Sequence, residues 1–179
     1  AFRHGHHHEF ELIDLTPNVQ ILLGTCFCDD CIAAAGTAGV DAATLAARTR
    51  AELDAFFADG TEPADPAIDD AWQPFIAWRA ATVTSLVAEV RDEMPPHVGL
   101  AIVPSTQSPN ALCWIEGSDL GQLAGVARIE ACAYQRGLGP ITDDVRAVRA
   151  AAGADARIGY ILRPTPNLPS PAALRDAGE

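Results

Sequence analysis

The stretch ARIEACAYQRGLGPITDDVRAVRAAAGADARIGYILRP, residues 127–164, decides the fold. It holds two short apolar runs, 127–135 and 156–164, which predict buried strands. Between them, residues 141–153 combine spaced apolar side chains with arginines and acids, which predicts an amphipathic helix with Thr142 as its N-cap. Gly153 ends that helix. A strand, a helix and a second strand in this order predict a parallel pair of strands.

The same pattern extends in both directions along the chain. Residues 97–105 predict an earlier strand, 117–125 a short helix with Ser118 as N-cap, and 170–178 a last helix. Strands therefore recur about every 30 residues, and none is followed by a glycine-rich dinucleotide turn. We expect the α/β class, and specifically the later part of a (β/α)8 TIM barrel, a fragment lacking the first strands. Residues 1–179 would form this single partial domain.

The region before the first strand reads as two helices and a loop. Residues 41–58 and 69–94 show apolar side chains at helical spacing, and Pro95 and Pro96 end the second segment. We expect an apolar stripe on that second helix, made of Trp72, Phe75, Ile76, Val83, Leu86, Val87 and Val90. Residues 1–40 would be a loop rich in histidine and cysteine, 41–94 the two helices, and 95–179 three βα repeats.

Strand alternation assigns directions to the side chains of the second half. Residues 129, 131 and 133, and likewise 158, 160 and 162, suit the helix layer because they are apolar or aromatic and lie two apart. Glu130 then faces the other side, and a buried acid there is either paired or catalytic. Tyr134 and Arg163 end their strands, where barrel active sites lie. We predict Glu130 as a catalytic acid with Tyr134 and Arg163 binding substrate; the alternative is a structural acid paired with Arg157 or Arg163.

Three of the five cysteines fall in CFCDDC, as Cys26, Cys28 and Cys31. Thiolates spaced this closely can share one tetrahedral zinc ion, which we expect as a structural cofactor. The fourth ligand would be a histidine of the run at 4–8 or a cysteine from further upstream. An iron–sulfur cluster is disfavoured, because the spacing departs from the Cys-x3-Cys-x2-Cys of radical S-adenosylmethionine enzymes. The remaining alternative is three reduced core cysteines.

The run HGHHHE, residues 4–9, is too dense in histidine for a packed core. Its rival interpretations are a solvated loop and the lip of an active site. We predict that His6 and His8 bind substrate at that lip. In the alternative, the run and Glu9 bind a catalytic metal.

Composition limits the partners. The chain has 179 residues and a formal net charge of -12, which argues against nucleic acid and anionic membrane surfaces as partners. All 12 of its basic residues are arginines, which excludes a lysine Schiff base and a Walker-type phosphate loop. Closely spaced cysteines suit metal better than disulfides, so we expect a reducing, cytoplasmic location.

The CFCDDC motif followed by an amphipathic helix and the FIAWRAATVTSLVAEVR helix resembles the barrel of glycoside hydrolase family 42 β-galactosidases. The chain is also similar to alanine-rich actinobacterial proteins with glycosidase-like barrels. The resemblance implies that Cys26, Cys28 and Cys31 bind a structural zinc ion. It also implies that the histidine run follows a fourth strand ending in a glutamate upstream of residue 1.

These observations lead to three functional expectations. The first is a glycoside hydrolase-like barrel with a carbohydrate as its substrate partner and an unknown oligomeric state, although only Glu130 of the two required carboxylates is a candidate here. The second is a metal-dependent hydrolase or lyase built on the histidine run. The third is a zinc-stabilised barrel that binds sugar without cleaving it.

Overall fold

A computed structural model describes residues 15–104, 117–133 and 137–162, together with Ala172. The chain divides into two compact units, Ala1–Trp78 and Arg79–Glu179. The described part of the first unit is helical, and that of the second unit carries the strands. One long helix, Gln73–Glu93, begins in the first unit and continues into the second.

The described part of the first unit contains three helices before the long one: α1 is Pro17–Gly24, α2 is Asp29–Thr37 and α3 is Ala42–Asp59. Local signals explain where α1 and α3 start. The hydroxyl of Thr16 accepts a hydrogen bond from the Val19 amide, and proline occupies the first position of α1. A carboxylate oxygen of Asp41 accepts from the Thr44 amide at 3.0 Å, and α3 ends at Gly60, which has a φ of 79°.

The apolar core of the first unit is formed by side chains from all of these helices, from the residue before helix α4, Gln73–Glu93, and from the first turn of α4. The buried set is Val19, Ile21, Leu22, Ala35, Ala42, Leu45, Trp72 and Phe75. An ion-pair network ties α3 to the segment before α4: the Arg48 guanidinium contacts Glu52 at 2.7 Å and also binds Asp69. That guanidinium holds the pKa of Asp69 below its usual value.

The second unit contains a parallel sheet of three strands in the order β1, β2, β3. Strand β1 is Ala101–Ile102, β2 is Arg128–Ala133 and β3 is Ile158–Leu162. Helix α5, Leu120–Ala124, precedes β2, and helix α6, Leu138–Ala152, lies between β2 and β3. In the register, Ile129 lies beside Ile158 and Glu130 beside Gly159.

One face of this sheet is covered by α5 and α6, as the alternation predicted. Ile129 and Ala131 are buried with Leu120 of α5 and Val148 of α6, and Ile158 and Tyr160 pack against the same cluster. Ala133 is buried with Ile141. The opposite face carries Arg128, Glu130 and Cys132, which are exposed or half-buried.

The expectation that the chain forms the later part of a (β/α)8 barrel is wrong. Six helices and a sheet of three parallel strands make up the described residues, which is a small α/β fold. Of the strand predicted at 97–105, the described residues 97–104 form only Ala101–Ile102 as a strand. Residues 15–93 contribute helices but no strand. The physical reason is that alternating strands and helices set parallel pairing locally, whereas barrel closure needs eight strands with a common tilt and stagger.

Two predicted N-caps also differ. Helix α5 is capped by Asp119, whose side chain accepts from the Gln122 amide at 3.0 Å, one residue after the predicted Ser118. Helix α6 begins at Leu138, so Thr142 lies inside it and donates its hydroxyl to the Leu138 carbonyl at 2.9 Å. The helix predicted at 170–178 lies outside the described residues, apart from Ala172.

No single helix in the described ranges combines the length and the apolar character that a membrane span requires. Helices α1 and α2 pass such a test only together, as a pair bent by 88°.

Candidate metal centre

The three clustered cysteines lie where α1 gives way to α2. Cys26 follows the last residues of α1, Cys28 is the N-cap of α2, and Cys31 lies in the first turn of α2. The Cys28 carbonyl accepts the first hydrogen bond of that helix, from the Ile32 amide at 3.0 Å. A helix start therefore turns the chain back within six residues and brings all three sulfurs to one place.

The sulfur atoms are close enough to share one metal ion. Their Sγ atoms all lie within 4.8 Å of one another, and those of Cys26 and Cys31 are 3.7 Å apart. Cys26 and Cys28 are exposed and Cys31 is half-buried, and all three are free thiols. The structure therefore contains a cysteine triad that could hold a metal, as the spacing predicted.

Hydrogen bonds within the triad distinguish its members. The backbone amide of Cys31, followed by the side chains of Cys31 and Cys26, lowers the pKa of Cys28. Hydrogen bonding to Cys28, followed by burial, raises the pKa of Cys31 to about 11. Cys31 donates its thiol hydrogen to the sulfur of Cys26, with the two sulfurs 3.7 Å apart.

Phe27, between two of the cysteines, fixes the segment to the core. Its ring lies 5.2 Å from that of Phe75 and 6.0 Å, edge to face, from that of Trp72. The segment 26–31 therefore does not lie free on the surface, because its central side chain packs against two fully buried rings. Sequence reasoning missed this anchor, although the aromatic residue between two cysteines of the CFCDDC motif was the available signal.

Glu130 faces away from the helix-covered side of the sheet, as predicted. Its carboxylate pairs with the guanidinium of Arg128, two residues earlier on the same strand, at 2.7 Å. Among the described residues, the partner in this ion pair is Arg128 and not the predicted Arg157, while Arg163 lies outside the described residues. Gly159 on β3 makes room for it, because a Cβ there would overlap both the Glu130 carboxylate and the Arg128 side chain.

Glu130 also lines a cavity of about 1090 Å³. This cavity lies beside the first residues of the strands, Ala101, Arg128 and Ile158. Barrel active sites form at the other, carboxyl end of their strands. The predicted substrate-binding residues His6, His8, Tyr134 and Arg163 lie outside the described residues, as does Glu9.

Comparisons with known proteins found no matching family model, no matching curated protein and no matching solved structure. The resemblance to family 42 glycoside hydrolases therefore stays a prediction from the motif.

Proposed function

We propose that Cys26, Cys28 and Cys31 bind one zinc ion that stabilises the turn between α1 and α2. One distance carries this proposal. Two thiolates bound to the same tetrahedral zinc at about 2.3 Å each have sulfurs about 3.8 Å apart, and the Cys26 and Cys31 sulfurs are 3.7 Å apart. Binding would therefore need little rearrangement of these two side chains.

The close sulfur spacing favours a single ion over an iron–sulfur cluster. In a [4Fe–4S] cluster, each cysteine binds a separate iron atom, so the thiolates must stand around a much larger body. Here all three sulfurs lie within 4.8 Å of one another. Soft thiolate ligands in a tetrahedral arrangement suit zinc among the common single ions.

A structural role fits the position of the triad. The ion would join the end of α1 to the first turn of α2, next to Phe27 and the aromatic core. The positive end of the α2 dipole and its free amides favour the negative charge of bound thiolates. Since metal binds the folded arrangement, its binding free energy adds to the stability of this unit.

Zinc content tests this proposal directly. Protein purified without chelator should hold close to one zinc per chain, measured by mass spectrometry of the metal. A Cys132→Ser variant is the matched control, because Cys132 lies on β2 in the other unit and should leave the zinc content unchanged. Less than about a tenth of an equivalent of zinc in the native chain would refute the proposal.

Glycoside hydrolysis with Glu130 as the acid stays a prediction. The resemblance supports it, while the ion pair with Arg128 supports the alternative of a structural acid.

The Arg128 side chain is 55% exposed, so we expect Glu130→Gln to cost under about 1 kcal/mol of stability. Activity on aryl glycosides is then compared between native and variant chains of equal melting temperature. A lower activity of the variant would show that Glu130 acts in the reaction itself and not through stability. Unchanged activity would remove Glu130 from the reaction. Absence of cleavage by the native chain would count against the enzyme.

A further inference from the structure

A second feature of the first unit has the form of a docking groove. It is an open cavity of about 800 Å³ that runs along α3, between the end of α1 and the start of α2. We call it the α3 groove and define it by its large apolar lining residues, Leu22, Leu23, Phe27, Ile32, Leu53 and Phe57. Its walls are helices, so it offers no sheet edge to an added strand.

The groove has the length of a short helix. Its lining residues on α3 run from Ala46 to Phe57. These twelve residues are separated by eleven rises of about 1.5 Å, so they span about 16 Å, or three helical turns. A partner helix of three to four turns would match this length and place a row of apolar side chains in the groove.

The apolar lining of the groove is incompletely buried. Phe57 is 62% exposed and Leu23 is 47% exposed, although both are large apolar side chains that burial would stabilise. Thr49, which also lines the groove, is 4% exposed, and its hydroxyl has no hydrogen-bond partner within the described residues. Exposed apolar surface bordered by polar residues is typical of protein interaction sites.

Charge indicates which kind of helix would bind. The polar border of the groove includes the exposed acids Asp29 and Asp54 and one arginine, Arg50. The chain as a whole carries a formal charge of -12. A partner with basic residues beside its apolar stripe would be attracted to this surface, whereas a second copy of the chain would be repelled.

We propose that the α3 groove binds an amphipathic helix of a partner protein. The bound helix has aliphatic side chains at i, i+3, i+4 and i+7 and is flanked by lysine or arginine. This proposal goes beyond metal binding, because the apolar lining on α1 and α3 exists whether or not the cysteines hold zinc.

A model peptide tests the proposal with the full chain. The probe is a fluorescein-labelled peptide of about 14 residues, with leucine at the stated spacing and lysine and alanine elsewhere. Binding is followed by fluorescence anisotropy. The native chain should bind it at least about tenfold more tightly than a peptide of the same composition with the leucines scrambled. Replacing the lysines by glutamate should weaken binding by a similar factor.

Two matched variants locate the site. Phe57→Ser should weaken binding of the leucine–lysine peptide by about tenfold or more. Ile68→Ser should leave it unchanged within about twofold, because Ile68 is 80% exposed in the same unit but does not line the groove. Both side chains are exposed, so melting temperatures should match that of the native chain.

Four results would overturn the proposal. The first is equal peptide affinity for the two variants, and the second is equal affinity for the ordered and scrambled peptides. The third is a dimer in sedimentation that Phe57→Ser alone dissociates, which would make a second copy the occupant. The fourth is binding of the uncharged dye Nile red that Phe57→Ser abolishes while the peptide fails to bind, which would indicate a small apolar ligand.

Discussion

Replacing Cys28 with serine should release most of the zinc and lower the melting temperature of the chain. Cys28 supplies one of the three sulfurs that lie within 4.8 Å of one another, and hydrogen bonding from Cys31 lowers the pKa of its thiol. A serine hydroxyl is a harder and far less acidic ligand than a thiol. Losing even an outer-shell partner of a metal site costs about 10–100-fold in affinity, so loss of a ligand should cost at least about 100-fold.

The design separates metal loss from simple damage to the fold. Zinc affinity is measured by competition with a chromogenic chelator, and melting is followed by circular dichroism with and without EDTA. Because Cys28 is exposed, the metal-free native and variant chains should melt at nearly the same temperature. Zinc should raise the melting temperature of the native chain and of Cys132→Ser, but not that of Cys28→Ser. Equal zinc affinity in native and Cys28→Ser chains would remove Cys28 from the site.

Side-chain alternation made the sheet of the second unit predictable. The buried residues Ile129, Ala131 and Ala133 lie two apart, and a strand with a period of two can bury only one such set on a helix layer. Glu130 had to face the other way, and it does. The cysteine triad was predictable for a similar reason, since a spacing of two and three residues leaves little freedom once a helix begins at Asp29.

Long-range geometry was not encoded in those local patterns. Three parallel strands separated by helices are compatible with both an open sheet and a barrel, because the pairing of neighbours looks the same in each. Closure depends on strand number and stagger, which no local spacing reports. Sequence reasoning did not identify Arg128 as the partner of Glu130. An acid on a strand can pair with an arginine two residues away on the same strand or with an arginine on another segment, and the sequence does not distinguish these two kinds of ion pair.

The segment 1–40 shows a different failure. Its metal-ligand residues led to the expectation of a loop, yet helix α1, Pro17–Gly24, lies within it. Thr16 followed by Pro17 is a helix start signal that sequence reasoning passed over. In the helix predicted at 69–94, by contrast, the predicted apolar stripe was too long: Trp72 and Phe75 are buried, while Leu86 and Val90 are 60% and 46% exposed.

Replacing Trp72 with alanine should be the most destabilising single change in the first unit. The side chain is 1% exposed and packs edge to face on Phe75 and Phe27, with ring centres 6.0 Å from each. Truncating a fully buried tryptophan leaves a large cavity and costs about 3–5 kcal/mol. That is a large part of the 5–15 kcal/mol that stabilises a typical domain, so urea denaturation followed by circular dichroism should show a much lower midpoint.

Phe57→Ala is the matched control, because this phenylalanine is 62% exposed and its loss should cost under about 0.5 kcal/mol. The aromatic contacts also predict an effect of the Trp72 substitution on zinc binding. Since Phe27 lies between two zinc-binding cysteines and touches Trp72, truncation of Trp72 should also loosen the cysteine segment and weaken zinc binding, whereas Phe57→Ala should not. A Trp72→Ala chain as stable as Phe57→Ala would show that Trp72 does not anchor this core. A destabilised chain with unchanged zinc affinity would show that the triad is held by the start of α2 alone.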